Sequence, residues 1–145
     1  MTALSEIKDG LGEKIVDCYQ HSPKRFYLKI KPKDLKVAAD FIFNQLKMRL
    51  VTCTGQDTPQ GIEILYHFSL DKTGEIFSLR LLLEDKKNPS IETLALLIKG
   101  ADWIEREMWE MLGINFIGHP NLKRLLLAEE WPQGDFPLRH EHEHE

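Results

Sequence analysis

The residues best suited to chemistry lie between positions 105 and 120, which read EREMWEMLGINFIGHP. Two glutamates flank an arginine in this stretch, a tryptophan follows, and a His-Pro pair comes after a glycine. Carboxylates and imidazoles act as general acids, general bases and metal ligands, while tryptophan and arginine are common in protein interfaces. The stretch is therefore compatible with a catalytic site, a metal site or a contact surface for a partner.

The catalytic interpretation is a small metal-dependent hydrolase that uses His119 and Glu107. In zinc hydrolases, histidine and carboxylate side chains hold the metal, which activates a bound water. The last six residues, HEHEHE at 140–145, also contain the HExxH pattern of a metalloprotease. That motif requires a helix packed on the protein core, which these terminal residues are not expected to form. We interpret 140–145 as a His/Glu tail or a purification tag.

Helical spacing explains most of the same residues without any chemistry. Asp102 and Glu105 have the separation of a capping box, in which each side chain accepts a hydrogen bond from a backbone N–H at the helix start. Arg106 stands four residues from both Asp102 and Glu110, a spacing worth roughly 0.2–0.5 kcal/mol per exposed ion pair. Gly113 is placed to end the helix after residue 112 as a left-handed C-cap.

Three side chains have no role in this predicted helix. Glu107 lies off its apolar stripe, Trp109 is expected on its exposed side, and His119 precedes Pro120 in an extended segment. Aromatic and charged side chains on a surface are typical of protein interfaces. We therefore predict that these residues contact a partner.

The composition indicates one globular domain with no affinity for nucleic acid. The chain has 145 residues, of which 42% are hydrophobic and 29% charged. Without the three glutamates of the final six residues, 20 acidic residues balance 19 basic ones, so no phosphate-binding surface is expected. The sequence also has no phosphate loop, GxGxxG motif or nucleophile elbow.

The cysteines and apolar runs restrict cofactors and location. Cys18 and Cys53 are the only cysteines, and a conventional iron-sulfur cluster takes about four thiolates. The chain is therefore expected to bind no cluster itself and to work in a reducing, cytoplasmic compartment. No apolar run approaches the ~20 residues that span a bilayer, and no signal peptide is recognisable, so any membrane association is expected to be peripheral.

Hydrophobic periodicity predicts the elements that must position these residues. A short helix near the N-terminus is expected to end early at Gly10 and Gly12, and Asp34 is expected to cap a second helix over 35–47. A polar loop is predicted at 55–60. Alternating or β-rich segments predict strands near 14–19, 25–30, 50–54, 62–70 and 77–83, the last two joined as a hairpin.

This order of elements predicts an α+β fold. We expect a mostly antiparallel sheet of about four to five strands, with helices packed on one side and an irregular C-terminal tail. The domain is expected to cover 1–120, the extended tail 121–139, and the His/Glu tail 140–145.

From 102 to 139 the sequence resembles the 30-kDa subunit family of NADH:quinone oxidoreductase, respiratory complex I. The resemblance rests on ERE followed by His119 and Lys123, with GADWIERE before and GHPNLKRLLLAEEW and FPLR after; ILYHFSL also resembles a long strand of the family. The sequence departs from the family pattern at Glu110, Leu112 and Asn121. The same module occurs in energy-converting, membrane-bound nickel-iron hydrogenases, and the shortness of the chain slightly favours that branch.

The resemblance implies a non-catalytic scaffold in the peripheral arm of a membrane complex that couples electron transfer to ion translocation. The chain would bind no cofactor, whereas the complex would hold iron-sulfur clusters and either flavin and quinone or a nickel-iron centre. Its partners would be the large quinone-site or nickel-iron hydrogenase-like subunit and the iron-sulfur subunits. It would lie at the cytoplasmic side of the membrane, associated only through the complex.

The predicted interface combines the residues left over by helix packing with those that match the family pattern. They are Glu105, Arg106, Glu107, Trp109, Gly113, His119, Pro120, Lys123, Arg124, Trp131 and Arg139. Two alternatives stay open at this point, the hydrolase described above and a free-standing protein-binding module.

Overall fold

The computed structural model describes residues 2–122 and 136–139. Its helices and strands are α1 (Ala3–Leu11), β1 (Ile15–Ser22), β2 (Arg25–Ile30), α2 (Leu35–Asp40), β3 (Arg49–Thr58), β4 (Gly61–Leu70), β5 (Glu75–Leu83), β6 (Ser90–Glu92), α3 (Ala101–Leu112) and β7 (Asn115–Ile117). Five strands form one sheet in the order β1-β2-β5-β4-β3, and β6 pairs with β7. The predicted α+β fold is confirmed.

The sheet is mixed rather than purely antiparallel. β1 and β2 form an antiparallel hairpin, whereas β2 and β5 pair in parallel. A parallel pair requires a long crossover connection. Here α2, β3 and β4 lie between β2 and β5 along the chain. β6 and β7 also pair in parallel, with α3 between them along the chain.

The chain divides into two compact units: residues 1–52 with 65–81 form unit 1, and 53–64 with 82–145 form unit 2. In unit 1, the α1 residues Ile7 and Leu11 are buried, and so are Phe26 and Leu28 of β2. Phe26 stacks on Phe77 of β5, with ring centroids 4.9 Å apart. Alternate strand residues thus supply the core of this unit, as the sequence pattern predicts.

Both predictions about the ends of helices in unit 1 need correction. Gly10 does not end α1, since the helix continues to Leu11 and only Gly12, at φ +54°, ends it. A Cβ at Gly10 would lie 2.1 Å from the Phe41 ring, so this glycine permits close packing. The Asp34 side chain forms no capping hydrogen bond. α2 ends at Asp40, after which a π-helical turn follows at Phe41–Gln45.

In unit 2, the predicted polar loop at 55–60 is wrong. β3 continues to Thr58, and residues 59–60 alone turn the chain into β4. Gln56 donates from Nε2 to Glu63 Oε1 at 3.0 Å, and Thr58 donates from Oγ1 to the Gly61 carbonyl at 2.7 Å. A Cβ at Gly55 would lie 2.7 Å from Leu112 Cδ1, so the glycine allows α3 to lie close to this strand. Polar side chains here satisfy one another within a hairpin.

None of the helices in the described ranges is long and apolar enough to cross a membrane. The proposed boundaries at residues 120 and 139 stay predictions.

Candidate functional site on helix α3

Glu105 is a buried carboxylate that holds the segment before α3. Its Oε1 accepts a short hydrogen bond from the Thr93 hydroxyl, and its Oε2 accepts one from the Leu94 N–H at 2.8 Å. A buried carboxylate requires such donors, because its charge is costly to remove from water. Burial raises the pKa of the Glu105 carboxyl, although the hydrogen bonds from Leu94 and Thr93 oppose the shift.

The predicted capping box is therefore wrong. α3 begins at Ala101 with Gly100 as its N-cap, and that cap has no side-chain hydrogen bond. Glu105 consequently lies beyond the first turn, where it meets donors from a different segment of the chain. Sequence spacing showed that Asp102 and Glu105 share a helix, but it could not show which backbone N–H groups Glu105 would reach.

His119 joins the segment after β7 to the first turns of α3. Its ring is fully buried, and Nδ1 accepts a hydrogen bond from the Asn121 N–H at 3.0 Å. This assigns the ring proton to Nε2, which donates to the Asp102 carbonyl at 3.2 Å. Nε2 also lies 3.6 Å from Asp102 Oδ1 and 3.9 Å from Glu105 Oε1. His119 thus has a structural role in fixing this segment.

Arg106 is buried, whereas a helix surface ion pair was predicted. Its NH1 lies 3.9 Å from Asp102 Oδ1, and its guanidinium carbon lies 5.6 Å from the centre of the Trp103 ring. A cation at this distance from an aromatic face is attracted by the ring electrons. Glu110, the other predicted partner, is also buried. The contacts of Arg106 fix the orientation of Trp103.

The exposed tryptophan of α3 is Trp103 and not Trp109. Trp103 is 64% exposed, while Trp109 is half-buried. Glu107, one turn after Trp103, is exposed. Met111 follows after one more turn, and its backbone carbonyl accepts a hydrogen bond from the Leu138 N–H at 2.9 Å. Residues four apart lie on one helix face. We call Trp103, Glu107, Met111 and the exposed Leu138 the α3 stripe.

Gly113 ends α3 as predicted. It has φ +76° and ψ +21°, and its N–H donates to the Trp109 carbonyl at 3.0 Å. A Cβ at this position would lie 2.4 Å from Cε2 of Phe136. The absence of a side chain therefore serves both the left-handed backbone and the close approach of the 136–139 segment.

Arg139 anchors this segment in a buried cluster of charges. Its NH1 donates to the Leu112 carbonyl at 2.8 Å, and its NH2 donates a short hydrogen bond to the Lys86 carbonyl. Asp57 is buried between two cations: Lys86 Nζ lies 2.6 Å from its Oδ1, and Arg139 Nε lies 3.7 Å from its Oδ2. Arg139 thus ties the segment to the end of α3 and to β3.

The structure separates the predicted residues into internal anchors and surface positions. Glu105, Arg106, Gly113, His119 and Arg139 are anchors, and Glu107 and Pro120 are exposed. Lys123, Arg124 and Trp131 lie outside the described residues. Sequence reasoning missed five residues of this region, which are Asp57, Lys86, Thr93, Trp103 and Phe136. Of these five, Trp103 alone could have been found from helical spacing, because it lies four residues before the exposed Glu107 and therefore on the same helix face.

The geometry gives no support to the hydrolase alternative. Glu107 is exposed, whereas the buried His119 ring faces Asp102 and Glu105. Within residues 2–122 and 136–139, no three His, Cys, Asp or Glu side chains are grouped so that they could hold a metal ion. Cys53 is buried, and this burial raises the pKa of its thiol well above the usual value.

Comparison with known proteins identifies the family of the chain. The family model described as "Respiratory-chain NADH dehydrogenase, 30 Kd subunit" matches residues 28–145. The NAD(P)H-quinone oxidoreductase subunit J of Prochlorococcus marinus (strain NATL2A) is 32% identical over 120 residues, which cover 77% of this chain and 68% of that protein. The C/D subunit of NADH-quinone oxidoreductase from Bacteroides thetaiotaomicron is 31% identical over 109 residues, which cover 73% of this chain but 20% of that protein.

Solved structures share the fold. The Nqo5 trypsin-resistant fragment superposes with a TM-score of 0.66 at 19% identity, covering 84% of this chain and 100% of that one. A chain of the membrane-bound sulfane sulfur reductase, an archaeal respiratory membrane complex, superposes with a TM-score of 0.81 at 17% identity, covering 95% of this chain and 82% of that one. On the match over 28–145, this chain belongs to the 30 kDa subunit family of respiratory-chain NADH dehydrogenase.

Proposed function

We propose that the chain is a non-catalytic peripheral-arm subunit of a complex I-like membrane oxidoreductase. Family membership over 28–145 carries this proposal. The internal roles of Glu105, His119 and Arg139 agree with it, because these side chains hold protein segments together instead of forming a nucleophile and base pair. The oxidoreductase activity would then belong to the assembled complex.

The partner we propose for the α3 stripe is the large subunit that forms the quinone site, or the nickel-iron site in the hydrogenase branch. In the Bacteroides relative, the matching residues make up 20% of a longer polypeptide, whose name joins the letters C and D. A fused chain keeps its two parts together covalently. Whether fused or not, the two parts need a contact surface to take a fixed arrangement, and the exposed Trp103 offers a large, oriented anchor for it.

We further propose that the chain binds no cofactor. The complex would hold iron-sulfur clusters with flavin and quinone, or with a nickel-iron centre, and iron-sulfur subunits would be additional partners. Because electron transfer depends on fixed separations between cofactors, a scaffold would affect the rate through geometry alone. The chain would lie at the cytoplasmic side of the membrane and reach it only through the complex.

Substitution of the α3 stripe tests this proposal. We expect Trp103→Ser and Glu107→Lys to lower the free energy of unfolding of the isolated chain by at most about 1 kcal/mol each, because both side chains are exposed and the Trp103–Arg106 contact is worth about 0.5–1 kcal/mol. Loss of a central aromatic anchor costs about 2 kcal/mol or more in binding, which is roughly a thirtyfold weaker association. The fraction of chain that coelutes with the complex from solubilised membranes measures the effect.

Val37→Ser is the matched control, since Val37 is an apolar side chain of α2 that is 54% exposed. Normal incorporation of the Trp103→Ser chain would contradict an interface at the α3 stripe. Arg106→Ala is a less specific test, because Arg106 is buried and its loss also disturbs the fold. The large subunit that copurifies with the chain from its native membrane would identify the branch of the family.

A further inference from the structure

Unit 1 has a cleft that no part of the proposed α3 interface uses. It has a volume of about 230 Å³, and its lining includes Arg25, Tyr27, Val51, His67, Ile76 and Ser78. Tyr27 of β2 lies beside Ser78 of β5 in the parallel register. Their neighbours Phe26 and Phe77 are buried, so the two faces of the sheet differ in this unit. Alternation along the strands places the side chains of Tyr27 and Ser78 on the face opposite the Phe26–Phe77 stack, and Phe26 also contributes to the lining of the cleft.

His67 and Ser78, two polar residues of the cleft lining, are hydrogen bonded to each other. His67 Nδ1 and Ser78 Oγ lie 2.6 Å apart on adjacent strands. An apolar group can therefore enter beside Tyr27, Val51 and Ile76 without leaving this pair unsatisfied. The volume is below that of sites for drug-sized ligands, which start near roughly 300 Å³, and suits a single side chain.

The edge of the cleft carries a positive charge. Arg25 is exposed, and its charge, together with burial as the larger cause, lowers the pKa of His67. Arg25 therefore supplies the permanent charge of the cleft. A guanidinium binds a carboxylate through two parallel hydrogen bonds, which gives both direction and strength.

An aromatic cluster extends from the cleft across β1. Tyr19 and Tyr27 are cross-strand partners with ring centroids 6.2 Å apart, and His21 lies 6.1 Å from each of them. Tyr19 is 56% exposed. Tyrosine and arginine beside a small apolar depression are the residues that most often dominate binding energy in interfaces.

We propose that this cleft receives an acidic segment of a partner protein, with one aromatic or aliphatic side chain in the depression and a neighbouring carboxylate on Arg25. The exposed guanidinium of Arg25 is complementary to a carboxylate, and the Tyr27, Val51 and Ile76 side chains are complementary to an apolar group. The inference rests on the proposed function in one respect, namely that the partner protein is another subunit of the same complex.

Photo-crosslinking in the assembled complex tests the inference. A benzoylphenylalanine at position 19, on the edge of the cleft, is activated in full-length chain that has been shown to incorporate. We expect it to crosslink to one segment that contains Asp or Glu within a few residues of an aromatic or aliphatic residue. Arg25→Glu should lower the yield per incorporated chain at least tenfold.

Lys72→Glu is the control, because it reverses an exposed charge in the 71–74 turn of the same unit. Equal yields for Arg25→Glu and wild type would overturn the inference, as would a crosslinked segment without an acid or a crosslink to lipid alone. If the chain is incorporated into the complex but gives no crosslink, the result contradicts the proposal for the cleft and leaves the proposed function untouched. Failure of the wild-type chain to enter any oxidoreductase complex would instead contradict the proposed function.

Discussion

Two buried acids in unit 2 are stabilised in different ways. Asp57 lies between the cationic groups of Lys86 and Arg139, whereas Glu105 accepts hydrogen bonds from the neutral groups of Thr93 and Leu94. Opposite charges compensate the loss of hydration of a carboxylate more completely than neutral dipoles do. Burial is the largest influence on the Glu105 carboxyl and raises its pKa, although the hydrogen bonds from Leu94 and Thr93 oppose the shift.

The raised pKa makes a prediction about stability and pH. A carboxyl whose pKa is higher in the folded state binds a proton more tightly there than in the unfolded chain. Its contribution to the free energy of unfolding is fully present below the unfolded pKa and is lost as the pH rises through the folded pKa. We therefore expect the stability difference between wild type and Glu105→Gln to shift in favour of the glutamine variant as the pH rises from acidic values towards neutrality.

Urea unfolding of both proteins across this range provides the measurement. Glu107→Gln, at an exposed position of the same helix, controls for the loss of one charge. A stability difference between wild type and Glu105→Gln that stays constant with pH would show that Glu105 titrates alike in the folded and unfolded chains.

At the scale of elements, α3 is held at both ends by segments that follow it in the chain. His119 binds the Asp102 carbonyl near the start of the helix, and Arg139 binds the Leu112 carbonyl at its end. The C-terminal end of a helix leaves carbonyl groups without helical partners, and a cation is favoured there by the helix dipole. These contacts fix the helix on which Trp103 is presented.

Gly113 tests the C-terminal contact. We expect Gly113→Ala to lower the free energy of unfolding by about 2–5 kcal/mol, because a left-handed alanine costs about 1–2 kcal/mol and overpacking about 1–3 kcal/mol. In a chain that already carries Phe136→Ala, Gly113→Ala should cost only the free energy of the left-handed backbone, because the ring that would be overpacked is gone. Chemical denaturation of the two single variants and the double variant gives the coupling energy.

Gly100→Ala is the control for this cycle, since Gly100 has φ −62° and, apart from its chain neighbours and the helix backbone, no atom of residues 2–122 and 136–139 lies within 4 Å of the point that a Cβ there would occupy. It should change the stability by less than about 0.5 kcal/mol. Additive effects of Gly113→Ala and Phe136→Ala would show that the ring does not pack on the glycine.

At the scale of the whole molecule, the two proposed contact surfaces fall in different compact units. The α3 stripe belongs to unit 2 and the Arg25 cleft to unit 1. Charged groups of unit 2 that resemble a catalytic cluster in the sequence are used internally as anchors. Of the two cysteines, Cys53 is buried and its thiol has a raised pKa.

The scaffold role predicts that the isolated protein is free of cofactors. A chain that lacks residues 140–145, purified without its partners, should show no flavin or cluster absorption and less than stoichiometric iron, nickel and zinc. Removing divalent metals with a chelator should leave its unfolding midpoint unchanged. Stoichiometric zinc that survives in this shortened chain and is lost in His119→Ala would revive the hydrolase interpretation.

The sequence by itself determined the α+β class, the presence of the five strands of the large sheet and the end of α3, because alternation and a glycine after an amphipathic segment depend on local backbone geometry. It did not predict the short strands β6 and β7. The resemblance to the family around His119 could likewise be found from the order of the residues alone. Only the tertiary structure decided that Glu105 and Arg106 are buried, since a helix with charges on several faces does not reveal which face meets the core. The tertiary structure also decided that Asp57 lies in a strand, although the polar composition of 55–60 had indicated a loop. The buried Asp57 carboxylate is compensated by Lys86 and Arg139, and these two cations come from distant parts of the chain, so local sequence could not reveal them.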